Sequence, residues 1–156
     1  MAWADMAGHW AVAARRLIEA HGFLDVQLGY VALHLSIIRA SMLVNGYKDE
    51  FTGFAVRPDS TAAVDCPIDV RRLRSLSERT GRIRDQIMHL ADGLEAGRVV
   101  KLDAKRRRVE IIVVGKAGRT ERMTERQAIG FLDTLEPWMR QQRERLMRER
   151  QDDGGP

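Results

Sequence analysis

Apolar positions fall into three helical stretches, a strand-like block and a last helix. From Trp3 to Ala20 the residues Trp10, Val12, Ala13, Leu17 and Ala20 recur close to the helical period. His21-Gly22 is the expected stop, because glycine suits the left-handed position after a helix. Asp25 is the expected cap of a second helix, which runs to about Val44 and ends at Asn45-Gly46. The next segment, Tyr47 to Pro67, has two prolines and no clear period, so a long irregular loop is expected.

Asp69 is a good N-cap for a third helix reaching about Glu95. Its apolar stripe is Leu73, Leu76, Ile83, Ile87, Leu90 and Leu94, with Thr80 in the missing position and Gly97 as the stop. Three short strands follow, at Val99–Leu102, Arg107–Val114 and Thr120–Met123, with turns at Asp103–Lys105 and Gly115–Gly118. Thr124 with Gln127 makes a capping box that opens the final helix. Pro137 is expected to kink or divide that helix, and residues 151–156 are expected to form a disordered tail. The fold class is therefore mainly α. It is a four- or five-helix up-down bundle with a small inserted antiparallel β-meander at about 98–123, forming one domain over 1–150.

Composition narrows the function classes. The single cysteine, Cys66, allows neither an internal disulfide nor a multi-thiolate metal site, and no ligand spacing supports a metal or cofactor. Residues 1–70 carry 5 Lys/Arg against 8 Asp/Glu, net −3, whereas residues 71–156 carry 21 against 14, net +7. A polyanion should meet the second half, where arginine dominates and suits bidentate phosphate contact. The start of the chain lacks a basic n-region and apolar h-region, and the apolar stretch Val26–Val44 is broken by polar residues. A cytoplasmic protein without membrane partners is expected.

One constellation can carry chemistry: Arg82, Arg84, Asp85 and His89 on the third helix. Asp85 and His89 are four apart and share a face, so the carboxylate can fix the imidazole tautomer and raise its basicity. Arg82, Asp85 and His89 lie opposite the leucine stripe, and the long Arg84 side chain can swing toward the same phosphate. The plain alternative is a solvated face of ion pairs. Arg84-Asp85-x3-His89 resembles the Arg-x4–6-His motif of the HEPN superfamily, helical-bundle proteins with ribonuclease members.

That resemblance implies a metal-independent endoribonuclease of a defence or toxin–antitoxin type, acting as a homodimer, with an antitoxin as a further protein partner. His89 would be general acid or base on a ribose 2′-hydroxyl, Arg84 would stabilise the phosphorane, and Asp85 would orient His89. Ala91 stands where one family variant has a nucleotide-accepting tyrosine. Arg82, Arg106, Arg107 and Arg108 are the candidate RNA contacts, the last three at a hairpin turn that would also carry charge cheaply. A competing reading from another class is a non-catalytic dimeric bundle whose basic half binds a partner protein or nucleic acid. His34 is expected to be a hydrogen-bonded core or interface residue, Cys66 is not expected to be a nucleophile, and Trp3, Trp10 and Trp138 are expected to be core or dimer anchors.

Overall fold

The computed structural model describes residues 2–91, 100–103, 108–114 and 120–154, with side chains over 3–88 and 122–154. In chain order the elements are α1 (Ala2–Glu19), α2 (Phe23–Asn45), β1 (Tyr47–Lys48), β2 (Ala55–Val56) and α3 (Ser60–Asp65). They continue with α4 (Val70–Ala91), β3 (Val100–Asp103), β4 (Arg108–Val114), β5 (Thr120–Thr124) and α5 (Glu125–Asp153). The protein is mainly α, with four long helices, the short α3 and an antiparallel meander inserted between α4 and α5.

Side-chain contacts fix the helix directions. Asp5 meets Arg143 and Arg15 meets Asp133, so α1 and α5 are antiparallel. Asn45 reaches the Val70 carbonyl and His34 meets Thr80, so α2 and α4 are antiparallel too. The alternation is up-down throughout.

The α1–α2 seam is built from small residues. Ala4, Ala7, Ala11 and Ala14, followed by Ile18, are spaced three and four apart and are all buried. Small side chains let the helix backbones approach closely, and at Gly29 a Cβ would lie 2.7 Å from Ile18 Cγ1. Ser36 donates to the Ala7 carbonyl at 2.7 Å in the same seam. The remaining core joins Leu33 and Ile37 of α2, Leu73 and Ile83 of α4, and Leu132, Leu135, Trp138 and Met139 of α5.

Local chemistry sets most boundaries. Asp69 Oδ1 accepts the Arg71 and Arg72 amides at 2.9 and 3.3 Å, capping α4 as expected. The Thr124–Gln127 capping box is present in both directions. The α1–α2 corner differs from expectation. His21, not Gly22, takes the positive φ of 59°, and Gly22 is the N-cap of α2 without any side-chain cap. Asp25 therefore lies inside the first turn, where its charge complements the helix N-terminus.

Three further expectations need correction. The segment 47–67 is only partly irregular, since β1 and β2 pair as a two-residue hairpin and α3 follows, with loop between them. Asp59 caps α3 through Ala62 N–H at 2.9 Å, and Ala62 is buried where its carbonyl accepts Trp138 Nε1–H at 3.0 Å. Pro137 sits inside α5, flanked by the buried anchors Leu135, Trp138 and Met139; of the two expected outcomes, a kink or a division, the division does not occur. Those anchors outweigh the one backbone bond a proline forfeits. Finally, α5 continues to Asp153, through the first three residues of the expected tail, and Gly154 N–H closes on the Arg150 carbonyl.

The meander has the order β3-β4-β5 and is antiparallel throughout, with Asp103 paired to Arg108 and Val114 to Thr120. Its strands pack against α4 and α5. Leu94, Gly97 and the Gly115–Gly118 turn lie outside the described residues.

α2 is long and apolar enough to cross a membrane by length and composition alone, yet 67% of the qualifying stretch is buried within the fold. It is the central helix of the bundle, in contact with α1, α3, α4 and α5.

Candidate functional site

The leucine and isoleucine stripe of α4 turns inward, with Leu73 and Ile83 fully buried and Thr80 only 1% exposed in the gap between them. That orientation leaves a strongly basic outer surface. Arg71, Arg72, Arg74, Arg79, Arg82 and Arg84 lie on this helix, against only Glu78 and Asp85. Arg74 donates to Asn45 Oδ1 at 3.3 Å, and Arg79 donates to the Arg122 carbonyl, tying α4 to β5. Arg71 and Arg72 are exposed and have no carboxylate partner among the described residues.

Arg84 and Asp85 are brought together. Arg84 Nε and Nη2 both donate to Asp85 Oδ1, at 3.0 and 2.6 Å, and both side chains are partly exposed. The ion pair fixes the guanidinium at the surface, one turn before His89. Asp85 thus engages its chain neighbour Arg84. The backbone of α4 carries His89, whose side chain lies outside the described set, as do Arg106 and Arg107. Arg108 opens β4, opposite Asp103.

Beneath this pair lies His34, only 3% exposed, with Nδ1 3.0 Å from Thr80 Oγ1. Gly81 makes room for its ring, since a Cβ there would lie 3.1 Å from His34 Cε1. Burial first, and then the positive charge of Arg84, lower the His34 pKa to about 4. The ring is therefore neutral at pH 7. It is a core histidine, as expected, and supplies no proton chemistry to the α4 surface.

Most of the other candidates are packing or capping groups; Trp10 is exposed. Burial pushes the Cys66 thiol up, partly offset by the Ile68 amide, which disfavours a thiolate nucleophile. Trp138 is buried and Trp3 stacks edge-on to Tyr47 at 6.1 Å, while Trp10 is 37% exposed. The arginines of 140–150 do more than pair along their own helix. Arg143 forms an ion pair with Asp5 at 2.6 Å, and Arg145 bridges Asp59 at 2.8 Å and Glu149 at 3.0 Å. Burial alone would raise the Asp59 carboxyl, but the Ala62 amide and Arg145 hold it below its usual value.

A cavity of about 130 Å³ lies between α1 and α5, lined by Gly8, His9, Glu136, Arg140 and Arg143 among others, away from the α4 surface. Among the described residues no group of three or more His, Cys, Asp or Glu gathers as a metal-ligand set. Sequence reasoning missed Arg71, Arg72, Arg74 and Arg79 as part of the α4 surface. Their signal was present: they are the positions of α4 outside its apolar stripe.

Fold and surface together define an up-down helical bundle with a meander insertion and one arginine-rich helix face. No family model, curated protein or solved structure matches this chain.

Proposed function

We propose that the outer face of α4 contacts RNA phosphates and that the protein is a metal-independent endoribonuclease of HEPN type. The observation that carries this reading is the concentration of six arginines on α4, ending at Arg84 one turn before His89. Arginine forks match phosphate oxygens, and single-stranded RNA binding is governed by such contacts. In this reading the 2′-oxygen attacks phosphorus as the P–O5′ bond breaks, His89 either takes the 2′-hydroxyl proton or gives a proton to the departing 5′-oxygen, and Arg84 stabilises charge developing on the phosphorane. The products are a 2′,3′-cyclic phosphate and a 5′-hydroxyl. In this reading Asp85, whose Oδ1 holds Arg84, also serves to orient His89, its neighbour at i+4 on the helix. The setting is cytoplasmic, as a defence or toxin–antitoxin component with an antitoxin partner.

The test is RNA cleavage by the purified protein in EDTA, beside His89→Ala and Arg84→Ala. Cleavage that persists in EDTA and disappears in both variants is expected. Equal cleavage by wild type and both variants would place the activity elsewhere.

The pairing of Arg84 with Asp85 favours a second reading, because a guanidinium already held by a carboxylate is a weaker phosphate ligand. This is a non-catalytic dimeric bundle whose basic half binds nucleic acid or a partner protein. RNA binding without strand scission by a folded protein would select it.

A further inference from the structure

α2 is apolar on its outward side as well as its inward side. Leu24, Leu28, Val31, Leu35, Ile38 and Met42 follow one another at steps of four, three, four, three and four. Leu24 is 65% and Leu28 46% exposed, and the other four are half-buried between the flanking helices α1 and α4. On the helical wheel this stripe lies opposite the core residues Leu33, Ile37 and Ala40. The described strands of the meander pack on α4 and α5, and β5 meets α2 at Tyr30, away from this stripe on the wheel.

A 3-4 repeat sustained over 19 residues is the pattern one helix presents to another when knobs enter holes. The flank of the stripe says which helix. Asp25 and Arg39 border it on one side, about 40° apart on the wheel at about 100° per residue. Neither has an oppositely charged partner among the described residues. Arg39 Nε is buried without any hydrogen-bond partner, and its Nη1 reaches only the Met42 sulfur at 3.6 Å. A half-buried guanidinium satisfied only by a thioether is a group awaiting an acceptor.

We propose that two copies of this chain pair through the outer face of α2, antiparallel about a two-fold axis near Leu33. Leu24 of one copy is then level with Met42 of the other, Leu28 with Ile38, and Val31 with Leu35. In that register Asp25 of each copy lies within about 3 Å along the axis of Arg39 of the other, at 1.5 Å per residue, giving two symmetric ion pairs. A parallel pairing would put Asp25 level with Asp25 and Arg39 level with Arg39. Charge therefore selects the antiparallel arrangement. The pairing stands independently of any action on RNA.

Sedimentation equilibrium of the full chain tests it. At about 100 µM the wild type is expected at twice the 17.7 kDa of one chain. Arg39→Asp and Asp25→Arg singly should each weaken the dimer about tenfold or more, and Asp25→Arg/Arg39→Asp together should restore it. Leu35→Glu should leave a helical monomer by circular dichroism. A monomeric wild type would overturn the proposal. So would a dimer untouched by Leu35→Glu in a folded chain, or a charge swap that fails to restore association in a folded double variant.

Discussion

α2 and α4 are antiparallel neighbours of nearly equal length, 23 and 22 residues, yet they solve the same packing problem differently. α4 is apolar on one stripe and arginine-rich elsewhere, so its boundary between core and solvent is sharp. α2 is apolar almost all round; His34 on Thr80 and Ser36 on Ala7 are buried and bonded, while Asp25 and Arg39 border its outer stripe half-buried. The difference divides the molecule's surface: α4 presents charge, and α2 presents apolar area. Their shared seam, His34 over Gly81, is a place where neither substitution nor protonation is tolerated cheaply.

The largest contrast lies within α2 itself. Leu33→Ala, in the core, should cost about 2–5 kcal/mol of stability, whereas Leu35→Ala should cost the monomer less than about 1 kcal/mol in denaturant melts at low concentration. Similar losses at both sites would mean that the outer stripe is covered within the monomer. Next comes the α2–α4 seam. His34 has a folded pKa of about 4, below its ordinary 6.5, so the unfolded chain binds the proton between those values. Stability should be complete above about pH 6.5 and fall by up to about 3 kcal/mol as pH drops toward 4. That loss should shrink in a folded His34→Gln variant; a slope that persists there would belong to other groups.

Smaller effects probe the caps and the charged face. Asp59→Ala removes the α3 cap and the Arg145 ion pair, and should cost about 1–2 kcal/mol in thermal or chemical denaturation. On α4, Arg71→Gln with Arg72→Gln should leave stability within about 0.5 kcal/mol. The same pair should lower the salt slope of RNA binding by about 0.7 for each phosphate no longer neutralised. An unchanged slope would move the RNA to another surface.

Much of the bundle was legible because its signals are local. The strands β3, β4 and β5 begin and end within a residue of the β-branched runs and turn residues that announced them, and the Thr124–Gln127 box needs only four residues. The segment 47–67 was not legible. Its hairpin pairs only two residues with two, and α3 is held by distant partners: Asp59 N–H on the Leu43 carbonyl and Trp138 on Ala62. The α4 site was legible as a basic helix face but not in its pairing. Wheel geometry makes i and i+4 neighbours, yet Arg84 folds onto the adjacent Asp85 because its side chain is long enough to wrap. His34 and Gly81 are 47 residues apart in sequence, and no periodicity joins them.

The central claim is that the 2′-hydroxyl of RNA is activated at the end of α4. The most direct measurement compares an unmodified RNA with the same strand fully 2′-O-methylated, both incubated with the protein in EDTA. The account predicts scission of the unmodified strand alone, leaving 2′,3′-cyclic phosphate ends. Equal scission of both strands, or binding of both without scission, would contradict it.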